Sequence, residues 1–248
     1  MAVSPKSKTI WITGASSGIG FSLVKLYLAS GYQVFASART KGSLIELLAH
    51  ERLIFIPYDV TDEAQVDQVR DLIQEHTLYL DCVILNAGTC EYLDISNPDW
   101  DMMKRVMTVN YFGLVNSVSV CLPLLKKAQQ PHLVGVSSQA TQAAFTQAEA
   151  YGASKAAVRY FLSSLRVDLL PFKIDVTCLL PGFVDTPLTQ KNTFSMPFLM
   201  SPERAAMRIK LAITKRPYEY AFPKRLTAML WVARQLPKRW ATMTAPKQ

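Results

Sequence analysis

Short runs of β-branched and aromatic residues alternate along this chain with longer amphipathic stretches, and most boundaries carry Gly, Pro, Asp or Ser. The short runs predict strands near residues 8–14, 32–38, 53–59, 81–87, 131–137, 175–181 and 218–222. The longer stretches predict helices near residues 18–30, 43–50, 62–76, 99–127, 151–170 and 202–215.

Some of the predicted strands are apolar along their whole length, as in Cys82-Val-Ile-Leu85 and Val176-Thr-Cys-Leu-Leu180. Such runs are typical of strands that are covered on both faces in a parallel sheet. Alternation of strands and helices indicates βαβ units with right-handed crossovers. We therefore predict an α/β fold, a doubly wound parallel sheet of about seven strands with helices on both faces.

Length and composition favour one folded unit. The chain has 248 residues, of which 50% are hydrophobic and 19% charged, enough for one large core without metals or disulfides. Its four cysteines lack the spacing of a zinc knuckle or a redox CxxC, so we expect reduced packing residues of a cytosolic protein. The N-terminus lacks a signal-peptide pattern, and no uninterrupted apolar window is long enough to predict a membrane span.

The net positive charge of the chain comes from its C-terminal part. Residues 1–203 carry 16 basic and 18 acidic side chains, whereas residues 204–248 carry 11 basic and one acidic, Glu219. This distribution argues against a general nucleic-acid-binding protein, in which the whole domain or one face is basic.

The basic tail, residues 224–248, also has apolar residues at helical spacing and two tryptophans, Trp231 and Trp240. One interpretation is peripheral contact with an anionic membrane or an acidic protein, with Trp231, Leu230 or Trp240 inserting into lipid. The other is a cover for the protein's own core or for a dimer face.

A glycine-rich loop, Thr13-Gly-Ala-Ser-Ser-Gly-Ile-Gly20, follows the first predicted strand and opens the first helix. Its glycines allow close backbone approach, so that helix N–H groups meet a pyrophosphate. The same loop fits the GxSxG nucleophile elbow of hydrolases, but that fold needs a histidine late in the chain, and the last one is His132. His50, His76 and His132 are expected to be solvated or capping residues.

Tyr151 and Lys155 lie four positions apart on a predicted helix, so they share a face and the ammonium can stabilise the phenolate. Ser138 precedes Tyr151 by thirteen residues, at the end of a predicted strand. A second YxxxK, Tyr220 to Lys224, contains Pro223, which interrupts any helix there, so that pair is not expected to share a helical face.

From the first strand to about Pro223, these motifs resemble the short-chain dehydrogenase/reductase family. The resemblance implies a single NADP-binding Rossmann domain over 1–248, with a substrate lid at 183–200. In that family the residue matching Asp59 contacts the adenine, Asn86-Ala-Gly88 lines the coenzyme, and Pro181-Gly182 with Thr186 holds the nicotinamide carboxamide. Leu85 stands where the family usually has a second Asn. The implied coenzyme-binding set is Gly14, Ser16, Ser17, Gly18, Ile19, Gly20, Arg39, Asp59, Val60, Asn86, Ala87, Gly88, Tyr151, Lys155, Pro181, Gly182 and Thr186.

The resemblance also implies the catalytic roles. Tyr151 would protonate the carbonyl oxygen that gains charge as hydride arrives, and Ser138 would hydrogen-bond that oxygen. Lys155 would hold the nicotinamide ribose and lower the pKa of Tyr151, and Asn110 would connect Lys155 to solvent through a water molecule. No metal is expected.

The end of the second strand favours NADP(H). NAD-dependent relatives carry an acid where this chain has Ala38, and Arg39 and Lys41 suit an anionic 2′-phosphate. NADP-dependent relatives often carry a basic residue where this chain has Ser17.

The predicted lid is rich in large apolar residues, namely Phe183, Leu188, Phe194, Met196, Phe198, Leu199 and Met200. They suggest a lipophilic substrate, or else packing or subunit contacts.

We therefore expect an oxidoreductase that transfers a hydride between NADP(H) and a carbonyl or secondary alcohol of a lipophilic small molecule. The alternatives are a 3-oxoacyl thioester reductase, whose acidic carrier protein would dock on the tail, and a non-catalytic NADP(H) sensor. A cytoplasmic homodimer or homotetramer is expected, with peripheral contact at the inner membrane surface as an option.

Overall fold

The computed structural model describes residues 7–190 and 195–245 and contains a seven-stranded parallel sheet of order β3-β2-β1-β4-β5-β6-β7. Each strand lies within or close to a predicted one. The strands are β1 Thr9–Thr13, β2 Gln33–Ala38, β3 Leu53–Pro57, β4 Cys82–Leu85, β5 His132–Val136, β6 Asp175–Pro181 and β7 Glu219–Phe222.

Eight α-helices occur among the described residues, two of them in the basic tail. They are α1 Gly18–Leu28, α2 Gln65–Gln74, α3 Asp101–Met107, α4 Gly113–Leu125, α5 Glu149–Leu169, α6 Pro202–Lys215, α7 Lys224–Gln235 and α8 Pro237–Thr244. Single 3-10 turns span Gly42–Leu47, Gln139–Thr141 and Leu170–Phe172, and a π-helical turn, Thr108–Phe112, joins α3 to α4.

Helices cover both faces of the sheet, as predicted. Trp11 of β1 packs on one side with residues of α2, α4 and α5, whereas Ile10 and Ile12 pack on the other side with residues of α1 and α6. This is the period-two alternation of strand side chains serving two cores. The prediction of a doubly wound Rossmann sheet is therefore confirmed.

Two of the predicted helices differ from the structure. The predicted helix 43–50 is the 3-10 turn Gly42–Leu47, which is tied to the glycine-rich loop by a hydrogen bond from Ser43 N to Ser16 O. The predicted helix 99–127 is interrupted by the π-helical turn Thr108–Phe112. A π-turn adds one residue to a helical turn, and over so short a stretch this leaves the apolar pattern of the sequence unchanged, so the sequence does not reveal it.

The continuous helical stretch Asp101–Leu125 is long and apolar enough, by length and composition alone, to cross a membrane. Half of its most apolar window is buried inside the protein, where α4 packs against the sheet. A core helix of a globular protein meets the same criteria, so this helix is weak evidence for a membrane span.

The tail helices α7 and α8 pack against the protein through Leu226, Leu230, Ala233 and Trp240. Trp240 contacts Phe145 edge-to-face, with ring centroids 5.7 Å apart. Of the three residues considered for insertion into lipid, Leu230 and Trp240 are therefore excluded, because both side chains are buried in the fold.

Cys82, Cys90, Cys121 and Cys178 are all buried, as expected of packing residues. The expectation of a solvated His132 is wrong. It is 1% exposed in β5, and its Nε2 lies 2.9 Å from Thr177 Oγ1 of β6. The neighbouring strand covers this histidine, which the sequence of β5 alone does not indicate.

Candidate active site

A cleft of about 800 Å³ opens at the carboxyl ends of the central strands. β1 pairs with both β2 and β4, so the strand order reverses beside the cleft, which is where doubly wound sheets bind ligands. All but one of the predicted coenzyme residues line the cleft, the exception being Gly20.

Gly14 and Gly18 adopt positive φ angles of 63° and 52°, so the glycine-rich loop takes a conformation that other residues rarely adopt. A Cβ on Gly14 would lie 2.7 Å from Ala87 Cα. Helix α1 begins at Gly18 with no acidic residue in its first turn, which leaves its positive end available to an anion. This narrow glycine cradle fits the pyrophosphate of a dinucleotide.

The loop after β4 is tied to the glycine-rich loop. Asn86 Nδ2 donates to Gly14 O at 3.1 Å and to Thr13 O at 3.2 Å. Thr13 Oγ1 accepts from the backbone N–H groups of Asn86 and Ala87 at 3.1 and 3.2 Å. The sequence analysis did not single out Thr13, although it opens the glycine motif.

Arg39 and Ala38 line the cleft at the end of β2, whereas Lys41 does not. Arg39 is exposed, and no ion pair within residues 7–190 and 195–245 engages it. Asp59 also lines the cleft, and its Oδ1 accepts from Thr61 N and Thr61 Oγ1 at 3.0 and 2.8 Å. The cleft therefore has an uncompensated cation at the end of β2.

Tyr151 and Lys155 stand one turn apart in α5, with Lys155 Nζ 5.9 Å from the Tyr151 ring centroid. Lys155 Nζ donates to Val136 O at 3.0 Å, and Ser137 Oγ donates to Lys155 O at 2.8 Å. These two bonds fix the helix to the end of β5. Ser138 follows directly, and its hydroxyl lies beside the Tyr151 side chain.

The pKa values of the pair move in opposite directions because both side chains are buried. Burial raises the pKa of Tyr151 to about 12, although the neighbouring Ser138 hydroxyl acts to lower it. Burial lowers the pKa of Lys155 to about 8. Desolvation dominates the pKa of Tyr151 in this structure, where the Lys155 ammonium donates to Val136 O, and the expected lowering by Lys155 stays a prediction.

Asn110 lies in the π-turn and is buried, so its amide makes only internal hydrogen bonds. Its Nδ2 donates to Thr89 O and to Ser154 Oγ, both at 2.9 Å, and its Oδ1 accepts from Thr89 N at 2.7 Å. Ser154 Oγ in turn donates to Tyr151 O at 2.8 Å. Asn110 thus links the loop after β4 to the helix that carries Tyr151. Its predicted role in ordering a water molecule stays a prediction.

Both Asn110 and Lys155 border Gly88. A Cβ on Gly88 would lie 3.1 Å from Asn110 Oδ1 and 3.2 Å from Lys155 Nζ. The sequence analysis missed Thr89 and Ser154, since each is recognisable only once the π-turn brings Asn110 between them.

A second, smaller cavity of about 80 Å³ shares Tyr151, Gly182, Leu188 and Thr189 with the cleft. Its walls are mostly apolar, and Ser138 and Gln139 contribute polar groups beside Tyr151. The remaining lining residues are Cys90, Tyr92, Ala140, Phe145, Ala148, Phe183, Leu226 and Leu230. Tyr151 therefore stands where the two cavities meet.

Only two of the apolar residues of the predicted lid, Phe183 and Leu188, line this pocket. Met200 is buried and forms an isolated parallel β-bridge with Val184, whereas Phe198 and Leu199 are exposed. Met196 is partly buried outside the pocket lining, and Phe194 lies outside the described residues. Leu226 and Leu230 of α7 form a pocket wall that the sequence analysis had not placed there.

The second YxxxK does not form a helical pair. Tyr220 belongs to β7 and Lys224 begins α7, and the Lys224 Nζ lies 5.3 Å from the Tyr220 ring centroid. Neither residue lines the two cavities. Within the described ranges, no group of three or more His, Cys, Asp or Glu side chains is arranged to hold a metal ion.

Comparisons with known proteins agree with this geometry. The sequence profile of the short chain dehydrogenases matches residues 8–196. An uncharacterized oxidoreductase of Myxococcus xanthus is 35% identical over 236 residues, 93% of each chain. A fatty acyl-CoA reductase of Acinetobacter baylyi is 35% identical over 225 residues, 87% of this chain and 76% of that protein.

Two solved structures share the fold over nearly the whole chain. A short-chain dehydrogenase from Streptomyces avermitilis is 26% identical, with a TM-score of 0.81 and coverage of 97% and 98% of the two chains. A short chain dehydrogenase from Burkholderia cenocepacia, solved in complex with NADP, is 22% identical, with a TM-score of 0.83 and coverage of 99% and 100%.

Proposed function

Since this chain belongs to the short-chain dehydrogenase/reductase family of oxidoreductases, we propose that it reduces a carbonyl group of a lipophilic small molecule with NADP(H). The observation that carries the proposal is the position of Tyr151. Its side chain borders both the dinucleotide-shaped cleft and the apolar pocket, with Ser138 beside it in the pocket lining and Lys155 one turn away.

The cleft residues fit a nicotinamide dinucleotide. The glycine cradle and the start of α1 would hold the pyrophosphate, and Lys155 would hydrogen-bond the nicotinamide ribose. When bound, the coenzyme would supply a hydrogen with its two electrons to the carbonyl carbon.

Tyr151 and Ser138 act on the carbonyl oxygen. As negative charge develops there, the Tyr151 phenol donates its proton and the Ser138 hydroxyl donates a hydrogen bond. With its pKa raised to about 12, the Tyr151 phenol carries its proton at neutral pH, which is the form that a proton donor requires. Asn110 acts on this step as a positioning residue, through Ser154 and the backbone of Tyr151.

The NADP(H) preference rests on Arg39. Its guanidinium is exposed at the cleft and unpaired by the described acids, and the adjoining Ala38 presents no carboxylate to repel a 2′-phosphate. A charge-assisted hydrogen bond contributes about 1.5–3 kcal/mol, which corresponds to roughly ten- to a hundredfold in affinity. Neighbours of the same fold were solved with NADP in the Burkholderia protein and with NADH in the Brucella melitensis protein, so Arg39 and Ala38 carry this choice.

The substrate is lipophilic because aliphatic and aromatic side chains dominate the pocket wall. A 3-oxoacyl thioester is a second candidate. It is favoured by two observations, the similarity to a fatty acyl-CoA reductase and the shared fold with a 3-ketoacyl-(acyl-carrier-protein) reductase from Brucella melitensis at 22% identity.

We further propose a homo-oligomer in the cytoplasm. Tyr160 and Val167 of α5 are exposed one heptad apart, which gives the outer face of this helix an apolar stripe suited to a second copy. The four buried thiols suit a reducing compartment.

The proposal is tested by following NADPH and NADH absorbance with medium- and long-chain aldehydes, ketones and 3-oxoacyl thioesters. We expect turnover with at least one lipophilic carbonyl and a kcat/KM at least about tenfold higher with NADPH. Ala38→Asp combined with Arg39→Gln should reverse the preference. Equal use of NADH by the wild type would contradict the coenzyme assignment, and tight NADPH binding without any turnover would indicate a sensor.

A further inference from the structure

Helices α7 and α8 form a cap, here defined as residues 224–244, whose inner face belongs to the fold. Leu226, Leu230, Ala233 and Trp240 are buried together, and Leu226 and Leu230 also line the substrate pocket. The cap is therefore one wall of the pocket, and its outer face lies on the opposite side of that wall.

The outer face of α7 carries one large aromatic side chain, Trp231, and one cation, Lys224. Trp231 is 64% exposed, and Lys224, Ala228 and Gln235 stand at spacings of seven, three and four residues from it, on the side of the helix opposite Leu226 and Leu230. Three further large apolar side chains of the cap are exposed, namely Val232, Leu236 and Met243.

The charge of the cap is entirely positive. Lys224, Arg225, Arg234, Lys238 and Arg239 are all exposed, and residues 220–245 contain no Asp or Glu. The nearest acid in the sequence, Glu219, is paired with Arg159 at 2.7 Å. None of the ion pairs formed by the described residues involves a cation of the cap.

We propose that the outer face of this cap docks on an anionic lipid bilayer. An exposed tryptophan and exposed aliphatic side chains on helices that also carry five exposed cations are the combination that an anionic membrane interface accommodates. The apolar groups enter the headgroup region while the cations contact phosphates. The cap then places its opposite, pocket-lining face just above the membrane, where a lipophilic substrate is concentrated.

Two other occupants fit less well. A second copy of this chain would bring five cations against five across a two-fold axis, with no acid in either cap to compensate them. A purely polar polyanion would leave Trp231, Val232, Leu236 and Met243 without apolar contacts.

The test is cosedimentation of the full chain with vesicles of phosphatidylcholine alone, or of phosphatidylcholine and phosphatidylserine in equal parts. We expect binding to the anionic vesicles at about 0.1 M salt and release at about 1 M, where screening shortens the reach of charge to about 3 Å. Each cation near the surface strengthens binding by about fivefold, so Lys238→Gln with Arg239→Gln should weaken it at least about tenfold. Trp231→Ala should weaken it by roughly fivefold.

The matched control is Lys127→Gln with Lys173→Gln, which removes the same charge from exposed positions outside the cap. It should change binding less than about twofold. Vesicle binding needs no turnover, so the docking surface and the proposed function can fail separately.

Four results would overturn the docking surface: absence of binding at low salt, an equal loss in the control, full binding by Trp231→Ala, or a changed oligomeric state of Trp231→Ala in size-exclusion chromatography. Cap variants that raise the KM for an acyl thioester but leave vesicle binding unchanged would show that the cations bind the acidic carrier of the substrate. That result would also overturn the proposal that the cap docks on a membrane.

Discussion

Gly20 occupies a position in which no larger residue fits, directly beneath the loop that borders the cleft. A Cβ there would lie 2.2 Å from Gly14 O and 2.8 Å from Asn86 Nδ2. Asn86 Nδ2 also donates to Gly14 O, so the same atoms hold the two loops together. Gly20 therefore acts on coenzyme binding by allowing this packing, without lining the cleft itself.

Gly20→Ala should lower the free energy of unfolding by about 1–3 kcal/mol, because the methyl group displaces backbone atoms. It should also weaken NADPH binding, because the loop shifts. Gly152→Ala is the matched control: it lies in α5, where a Cβ meets nothing within 4 Å, and should stabilise the protein by about 0.5–1 kcal/mol. The free energy of unfolding and the NADPH affinity of both variants are measured by chemical denaturation and NADPH titration. Wild-type values of both quantities for Gly20→Ala would contradict the close packing inferred around Gly20.

The sequence predicted which residues surround the cleft, because each motif follows a strand and the carboxyl ends of parallel strands meet at one edge. It did not predict the electrostatics of the site. The pKa of Tyr151 depends on how deeply α5 and the cap bury the phenol, and the partners of Asn110 depend on the π-turn. Both are consequences of packing between elements distant in sequence.

At the scale of elements, the cap is where the sequence left two interpretations open. Its apolar spacing is the same whether the helix packs on a membrane or on its own protein. The structure decides for the inner face: Trp240 packs against Phe145, and its Nε1 donates to Ala144 O. The exposed Trp231 was indistinguishable from Trp240 by sequence, since both sit in basic, amphipathic surroundings.

Trp240→Ala should lower the free energy of unfolding by about 3–5 kcal/mol, since a buried tryptophan and its hydrogen bond are lost. The cap then loosens over the pocket, so the KM for a lipophilic carbonyl should rise several-fold while the Kd for NADPH stays near the wild-type value. Trp231→Ala, on the exposed side of the same cap, should change stability by no more than about 0.5 kcal/mol. Equal effects of the two substitutions on unfolding would show that the two faces of the cap are assigned wrongly.

At the scale of the whole molecule, the alternation of strands and helices predicts a doubly wound parallel sheet of about seven strands, and the structure confirms it. The burial of polar groups within the sheet could not be predicted from the sequence. His132 reads as a residue at the start of a strand, yet β6 covers it and Arg216 adds positive charge nearby. Both effects lower the pKa of His132, to about 4.

This histidine makes stability depend on pH. In the unfolded chain it titrates near 6.5, and in the folded protein near 4, so the unfolded state binds more protons between these values. The free energy of unfolding should therefore fall by up to about 3 kcal/mol as the pH drops from 6.5 to 4. Urea denaturation across this range should show a flatter dependence for His132→Gln, and an unchanged slope would contradict the assignment.

The proposal that this protein is a reductase depends on the Tyr151 phenol as the proton donor. The most direct test is the kcat of Tyr151→Phe with NADPH and the best lipophilic carbonyl found. We predict a loss of at least about 100-fold, the lower limit for general acid catalysis, with NADPH binding largely intact and Tyr220→Phe near wild type. Retention of more than about a tenth of the wild-type kcat by Tyr151→Phe would contradict the proposed mechanism.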